Sequence, residues 1–265
     1  TCFKLKILAD GYSRKAKARI VVQGFRDPHL PLLARDAPVL ARLSLMAVIQ
    51  WAANHGLSLW NADASNAFLQ GMPDADRPEH IYMKPPKDPI STAAVPEFAL
   101  DVCYELWAPV YGQANAPRRW FMNVVRIMLS LGWTQHSLDP CLFLLILDQM
   151  VVAVLGIHVD DIIAAILDDY FEHLTKVKAS FQWGNDWVKD NFIFTGRRIM
   201  RSDNGSYRLD QLHYVSDLDV GKIPKHLDDT TLLADIDGLV TDFRSGSGSL
   251  QWLSGMSRPD VSADT

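Results

Sequence analysis

The sequence predicts an α+β fold, in which helices pack against strands that pair mainly as antiparallel hairpins. Two observations support this prediction: apolar segments of strand length come in pairs joined by tight turns, and longer segments with helical spacing of apolar residues lie between them. Of the 265 residues, 48% are hydrophobic and 22% are charged. This composition excludes collagen-like, low-complexity and disordered chains, and the length suits one large or two small domains.

The N-terminal segment predicts two short strands and a loop. Residues 3–8 and 18–22 have the character of strands, and the turn-like pair Asp10 and Gly11 lies between them. Residues 25–38 carry three prolines and little periodicity, which predicts a loop.

A helix and a strand are predicted next. Residues 39–55 have helical spacing of their apolar side chains, and Gly56 supplies a stop signal. Residues 57–63 predict a strand that ends on the carboxylate of Asp63, and the proline-rich, charged residues 71–96 predict a connection. The side chains expected to form the buried stripe of the helix are Leu43, Met46, Ala47, Ile49 and Trp51.

The middle of the chain predicts an amphipathic helix. Pro117 suits the first helical turn, residues 118–131 continue the helical pattern, and Gly132 ends it. The side chains expected on its buried face are Trp120, Val124, Ile127, Met128 and Leu131.

Three consecutive buried strands are predicted at residues 141–147, 151–158 and 162–166. They place residues 159–161 in a tight turn between the second and third strands. The remainder predicts a helix at residues 168–181, strands at residues 192–200 and 207–209 around a turn at 203–205, and a helix from Gln211 before a looser acidic tail.

Several classes of protein are excluded. The longest wholly apolar stretch in the most hydrophobic region has 8 residues, whereas a membrane helix needs about 20, so no membrane span is expected. The chain begins with Thr and has no targeting signal, so we expect a piece of a longer intracellular protein. Cys2, Cys103 and Cys141 are widely spaced and odd in number, which predicts buried or half-buried thiols in a reducing compartment, with no disulfide framework.

The charge is unevenly distributed along the chain. The formal net charge is −5, yet residues 1–26 hold seven basic side chains against one acid, and residues 106–138 hold three arginines and no acid. These two segments could line a groove for phosphates, because phosphate contacts dominate nucleic-acid affinity. Solvated protein faces would account for the same charges.

Three aspartates form a candidate metal site. Asp160 and Asp161 lie in a turn between apolar strands, where adjacent carboxylates repel each other strongly, and Asp63 ends another predicted strand. Oxygen ligands suit Mg²⁺, and three carboxylates on neighbouring strand ends can hold two metal ions for phosphoryl transfer. A plain turn is the alternative for Asp160 and Asp161, since turns favour Asp.

A series of motifs extends this pattern. Residues 17–25 (KARIVVQGF), 61–71 (NADASNAFLQG), 110–120 (VYGQANAPRRW), 137–143 (SLDPCLF), 158–161 (HVDD), 194–199 (FTGRRI) and 251–260 (QWLSGMSRPD) follow one another along the chain. In this order they resemble KARLVAKGF, QLDVKTAFLxG, LYGLKQAPRxW, the run before the catalytic hairpin, YVDD, FLGxxI and LxYL…TRPDI. Those are motifs of the reverse transcriptase domain of copia-type LTR retrotransposons, and the resemblance covers essentially the whole chain.

The resemblance implies a right-hand polymerase core, with a palm of antiparallel sheet backed by helices, interleaved fingers and the start of a thumb. Residues 1–200 would form fingers and palm, and residues 201–265 a thumb or connection. The implied activity is RNA-directed DNA polymerase: dNTPs are added to a primer on an RNA or DNA template with two Mg²⁺ or Mn²⁺ ions. RNase H and integrase domains of the Pol polyprotein are expected outside this chain, and the expected location is cytoplasmic, in virus-like particles if the element is active.

The resemblance also assigns roles to matching residues. Asp63, Asp160 and Asp161 would be the catalytic metal ligands. The residues implied to contact the incoming nucleotide are Lys17 and Arg19 at the triphosphate, Phe68 against the ribose 2′-hydroxyl position, and Tyr111 and Gly112 under the nascent base pair. The residues implied to contact nucleic acid are Arg118 and Arg119 at the template or phosphates, and Phe194 and Gly196 at the primer end.

Alternatives stay open at this point. Phe68 could be a core residue, Arg118 and Arg119 could be ordinary surface charges, and the aromatic cluster of residues 183–194 is interpreted as core in preference to a base-stacking surface. The chain departs from the family where His158 replaces the usual Tyr and Thr195 the usual Leu, and Gln113–Asn115 differs from the common LKQ. One rival hypothesis is a decayed or truncated element that keeps the fold without activity. The other is a metal-dependent nuclease or phosphatase that uses the same carboxylates.

Overall fold

Strands and helices of the predicted α+β kind make up the fold. The computed structural model describes residues 2–7, 14–73, 80–87, 102–218 and 239–257. The strands in these ranges are β1 (Cys2–Ile7), β2 (Arg14–Arg19), β3 (Leu59–Asp63), β4 (Tyr82–Met83), β5 (Tyr104–Glu105), β6 (Thr134–Gln135), β7 (Leu142–Leu147), β8 (Met150–His158), β9 (Asp161–Ile166), β10 (Val188–Lys189), β11 (Asn191–Phe194), β12 (Arg197–Arg201) and β13 (Tyr207–Asp210). The helices are α1 (Arg42–Asn54), α2 (Ala116–Ser130), α3 (Phe171–Ser180), α4 (Leu212–Ser216) and α5 (Leu239–Met256).

A six-stranded antiparallel sheet in the order β10-β3-β9-β8-β7-β6 is the centre of the fold. Its central strand β9 is buried on both faces: Ile162, Ala164 and Ile166 belong to one apolar core, and Ile163 and Ala165 belong to the other. Alternate residues of a strand point to opposite faces, so continuous apolar runs such as β9 require cover on both sides. The sheet confirms the predicted antiparallel pairing of these strands.

Helices α2 and α3 cover one face of the sheet, and α1 covers the other together with the small sheet β11-β12-β13. The predicted face of α2 is confirmed at Trp120, Val124 and Met128, which are buried. The predicted stripe of α1 is confirmed at Ile49, which is buried, and is wrong at Leu43, which is 83% exposed, and at Ala47, which is also exposed. The sheet also buries Leu45, Val48 and Ala52, which the predicted stripe left out.

The segment predicted as a single strand at residues 192–200 is a hairpin. Strands β11 and β12 pair in antiparallel fashion around Thr195 and Gly196, whose φ angles are 48° and 75°. Gly tolerates this left-handed conformation and Thr rarely adopts it, so the sequence gives only half of the usual turn signal. A second correction concerns the tail, where α5 forms although it contains Gly246, Gly248 and Gly255.

Two small ribbons complete the described fold, β1 with β2 and β4 with β5. The second predicted strand, at residues 18–22, lies earlier in the chain as β2, and the loop predicted at 25–38 contains only short 3-10 turns. Cys141 is buried as predicted, whereas Cys2 and Cys103 are exposed, and all three thiols are free. None of the helices in the described ranges has the length and apolarity needed to cross a membrane.

Candidate active site

The β8–β9 hairpin carries two adjacent carboxylates. His158 lies opposite Asp161, so Val159 and Asp160 form the two-residue connection. Val159 has a φ of 60°, a conformation that β-branched residues rarely adopt. The indole Nε1–H of Trp120 donates a hydrogen bond to the Val159 carbonyl oxygen at 2.6 Å, so helix α2 holds this turn in place.

The third carboxylate comes from the neighbouring strand. Asp63 ends β3 directly opposite Asp161 of β9. The next residue, Ala64, donates its N–H to the carbonyl oxygen of Asp160 at 2.8 Å. Because directly opposed residues of an antiparallel pair have neighbouring Cβ atoms, Asp63 and Asp161 lie side by side at one end of the sheet, and Asp160 lies in the adjoining turn.

Burial and, to a smaller extent, repulsion between carboxylates disfavour the ionised form of Asp161 in this cluster. Burial raises the pKa of Asp161 from 3.8 to about 7, and the negative charges of Asp160 and Asp63 contribute to the same increase. Asp63 itself is exposed to solvent. A cation placed between these groups would remove the repulsion, so the cluster is suited to binding one.

The carboxylates match a divalent cation in chemistry. Within the described ranges, no three His, Cys, Asp or Glu side chains stand close enough to form a ready metal cage. The donor atoms at the sheet end are nevertheless hard carboxylate oxygens on adjacent strands, which are the ligands that Mg²⁺ and Mn²⁺ prefer. The residues present therefore fit such an ion by donor type and by charge.

Beside the carboxylates, the backbone of residues 22–24 lies in close contact with that of residues 111–112. The N–H of Val22 donates to the Tyr111 carbonyl oxygen at 2.8 Å, and the N–H of Gly24 donates to the Gly112 carbonyl oxygen at 3.1 Å. Gly112 has a φ of 93°, and a Cβ there would lie 2.1 Å from the Val22 carbonyl oxygen. The motif of residues 110–120 thus needs glycine at this position for the two segments to approach.

Three predicted nucleotide-binding residues lie together beside the carboxylates. The Arg19 guanidinium lies over the Tyr111 ring, 5.0 Å from its centroid, and the rings of Phe68 and Tyr111 are 5.3 Å apart. Burial raises the pKa of Tyr111, Arg19 opposes this, and the charges of Asp160 and Asp63 add to the increase. Lys17 lies in β2 opposite Lys4, and its side chain is outside the described part of the structure.

The predicted nucleic-acid contacts are less uniform. Arg118 donates from Nη1 to the Asp36 carbonyl oxygen at 3.1 Å on an exposed surface. Arg119 is only 8% exposed and Phe194 only 1% exposed, so both side chains lie in the interior. Gly196 faces α5, because a Cβ at this position would lie 2.6 Å from the Trp252 ring. The contact with nucleic acid stays a prediction for Arg119 and Phe194, and the burial of both side chains favours an indirect role.

One contacting segment was missed by sequence reasoning. Residues 182–184, here called the strap, follow α3 and run beside the chain after β3. Gly184 donates its N–H to the Asp63 carbonyl oxygen at 2.8 Å, and Trp183 forms an antiparallel bridge with Ala64. The aromatic residues around the strap gave a signal for packing, but nothing in the sequence connected Gly184 with Asp63.

Comparison with known proteins agrees with the motifs. The family model for reverse transcriptase (RNA-dependent DNA polymerase) matches residues 2–223. The chain is similar to the retrovirus-related Pol polyproteins from transposons RE1 and RE2 of Arabidopsis thaliana, with 29% and 28% identity over 276 residues. It is also similar to the Pol polyprotein from transposon TNT 1-94 of Nicotiana tabacum, with 30% identity over 162 residues, 61% of this chain and 12% of that protein.

The RE1 and RE2 alignments cover 98% of this chain and 18% of each relative, so the chain corresponds to a small part of those polyproteins. The family match extends over most of the described structure and includes all three carboxylates. The resemblance drawn from the motifs is thereby confirmed. The chain belongs to the reverse transcriptase (RNA-dependent DNA polymerase) family, in the form found in copia-type retrotransposon Pol polyproteins.

Proposed function

We propose that this chain is the polymerase core of a retrotransposon Pol polyprotein and adds dNTPs to a primer on an RNA or DNA template. The observation that carries the proposal is the register of β3 with β9, which sets Asp63 opposite Asp161 and beside the Asp160 backbone. A wall of Arg19, Phe68 and Tyr111 lies next to these carboxylates. Carboxylates beside the Arg19 guanidinium and two packed aromatic rings suit a metal–nucleotide substrate.

Asp63, Asp160 and Asp161 would hold the divalent ions, Mg²⁺ or Mn²⁺, with two ions in the full proposal. Members of the reverse transcriptase family generally use divalent metal ions. When bound, such ions lower the barrier for attack of the primer 3′-hydroxyl on the α-phosphate and neutralise the pyrophosphate that leaves. The raised pKa of Asp161 supports this role, because burial and the negative charges of Asp160 and Asp63 disfavour its ionised form, a cost that a bound cation would offset.

The surrounding residues would orient the nucleotide. Arg19, assisted by Lys17, would bind the triphosphate, since a guanidinium donates several hydrogen bonds to phosphate oxygens. Tyr111 and Gly112 would support the nascent base pair, and the absence of a side chain at Gly112 lets the Val22 backbone hold this segment in place. Phe68, packed on Tyr111, would fill the space that a ribose 2′-hydroxyl requires.

Nucleic acid would be contacted directly by Arg118 and indirectly by the β11–β12 turn. Phe194 and Gly196 would act on the primer end through the position of this turn, because Phe194 is buried and Gly196 packs against Trp252. We assign residues 1–200 to fingers and palm, and residues 201–265 to a thumb or connection. RNase H and integrase domains of the polyprotein are proposed partners, since the Pol relatives are much longer than this chain.

Primer extension on a poly(rA)/oligo(dT) template, first with Mg²⁺ and then with Mn²⁺, tests the proposal. The wild-type protein should incorporate dTTP, and an Asp160→Asn variant should lose at least about a hundredfold in rate, because a ligand of the ions that stabilise the transition-state charge is removed. Equal extension by the two proteins would overturn the proposal. Cleavage of the template without dNTP would identify a nuclease instead.

A catalytically inactive remnant is the second candidate. It is favoured by His158, whose Nδ1 is buried without a hydrogen-bond partner in the same hairpin as Asp160 and Asp161. Duplex binding without incorporation, by a protein that unfolds cooperatively, would identify this state. A His158→Tyr variant would then show whether the ring at this position limits activity.

A further inference from the structure

We propose, on the basis of the polymerase function proposed above, that Gly184 is a positioning residue for the Asp63 carboxylate. The strap holds its backbone against Asp63, and the absence of a side chain at Gly184 leaves the space that the carboxylate occupies. Gly184 thereby sets the direction in which Asp63 presents its oxygens to a divalent cation.

The strap pairs with the chain at the end of β3 through two backbone hydrogen bonds. The N–H of Gly184 donates to the Asp63 carbonyl oxygen at 2.8 Å, and the N–H of Ser65 donates to the Gln182 carbonyl oxygen at 2.9 Å. The two bonds flank the residue between them on each segment, as in a short antiparallel pair. The distance between Gly184 and Asp63 is therefore set by the backbone and not by a flexible side chain.

The contact with the carboxylate is steric. A Cβ at Gly184 would lie 3.0 Å from Asp63 Oδ2 and 3.5 Å from the Asp63 carbonyl oxygen. The first distance is shorter than the 3.4–4 Å of ordinary van der Waals contact, so one of the two groups would have to shift by a few tenths of an ångström. Gly184 has no left-handed φ, which means that alanine introduces no backbone strain here.

The strap cannot easily move away from Asp63, because Trp183 holds it on the opposite side. The Trp183 indole N–H donates to the Lys178 carbonyl oxygen at 2.7 Å, and its ring packs edge-on against Phe181 and Trp187. The anchored aromatic residues explain why this cluster is part of the core and not a surface for base stacking. An added Cβ would therefore displace the exposed Asp63 carboxylate in preference to the strap.

Gln70 links the same strap to the nucleotide side of the site. Its Nε2 donates to the carbonyl oxygens of Ser65 and Gln182 at 2.7 and 2.9 Å, and its Oε1 accepts the Gln182 N–H at 2.9 Å. Gln70 ends the 3-10 turn that contains Phe68. The Gln70 side chain thus joins the strap, the chain after Asp63 and the turn of Phe68. A substitution at Gln70 therefore provides a second test of whether the strap positions Asp63.

Direct measurement of Mn²⁺ binding, by electron paramagnetic resonance of the free ion, tests the proposal in the intact chain. The Gly184→Ala variant should bind Mn²⁺ about tenfold more weakly, at the lower end of the effect of displacing groups that orient metal ligands. The same change in an Asp63→Asn background should have no further effect, since the affected ligand is already lost. The matched control Gly246→Ala, where a Cβ meets nothing within 4 Å, should bind Mn²⁺ as the wild type does.

The outcomes separate the two proposals. The role of Gly184 is overturned if Gly184→Ala binds Mn²⁺ as tightly as the wild type does. It is also overturned if Gly184→Ala weakens Mn²⁺ binding by the same factor with Asp63 as with Asn at position 63. Equal Mn²⁺ binding by the wild type and Asp63→Asn overturns the metal site itself and with it the proposed function. Should Gly184→Ala fail to fold in a thermal melt with EDTA, Gln70→Ala supplies the test: it must weaken Mn²⁺ binding when Asp63 is present and leave it unchanged when Asp63 is replaced.

Discussion

At the residue scale, the most informative group is Asp161, whose raised pKa follows from burial and from its two carboxylate neighbours. The folded-state pKa of about 7 lies above the ordinary value of 3.8. At a pH between these two values, Asp161 keeps its proton in the folded protein and has lost it in the unfolded chain. The contribution of this protonation to the free energy of unfolding is fully present below pH about 4, and it is lost as the pH rises through about 7.

Replacing Asp161 by Asn should therefore flatten the pH dependence of stability in the absence of divalent ions. The wild type should lose about 1–2 kcal/mol of unfolding free energy between pH about 5 and pH about 8, after allowance for solvent screening of a partly exposed group. Urea unfolding in EDTA at both pH values measures this, with Asp203→Asn on an exposed turn as the control. An identical pH dependence in Asp161→Asn and the wild type would contradict the assignment.

At the element scale, the sequence predicted best where pattern and packing agree. The β8–β9 hairpin was correctly located, because its apolar runs are buried on both faces and its two turn residues interrupt them. The buried face of α1 was predicted only in part, at Ile49, because this helix has apolar residues on several sides and only the sheet decides which of them are buried. The hairpin at Thr195 and Gly196 was missed because Thr rarely has a positive φ, and contacts outside the turn must hold it.

Docking of α5 provides a prediction at this scale. Trp252 of α5 packs on Gly196 and on the Tyr214 ring, with ring centroids 4.5 Å apart in the latter pair. A Gly196→Ala substitution would bring a Cβ to 2.6 Å from the Trp252 ring and strain a φ of 75°, so it should destabilise the protein by about 1–3 kcal/mol.

Hydrogen exchange should locate this loss in residues 239–257. Gly205→Ala is the matched control, because it has a comparable φ of 83° but its Cβ would meet only an arginine tip at 3.9 Å. Faster exchange of α5 in Gly196→Ala than in Gly205→Ala is expected. Equal exchange would mean that backbone strain, and not contact with Trp252, accounts for the effect.

At the scale of the whole molecule, binding of nucleic acid must overcome a net charge of −5. The polymerase proposal therefore requires that a few well-placed cations face the duplex, and it makes the salt dependence of binding a measure of how many do so. Among the arginines of α2, the structure separates two neighbours that the sequence could not: Arg118 lies on an exposed surface, whereas Arg119 is buried.

Primer–template binding measured over a range of salt concentrations should distinguish these two arginines. Arg118→Ala should weaken binding and reduce the slope of log K against log salt by about 1, which corresponds to one lost phosphate contact, and should lower the unfolding free energy by less than about 1 kcal/mol, because only one surface hydrogen bond is lost. Arg119→Ala should leave the slope unchanged and destabilise the fold by about 1–3 kcal/mol, because a buried polar side chain is removed. If Arg118→Ala kept the full slope, the duplex would have to lie on another face of the molecule, and the assignment of α2 to the nucleic-acid surface would be wrong.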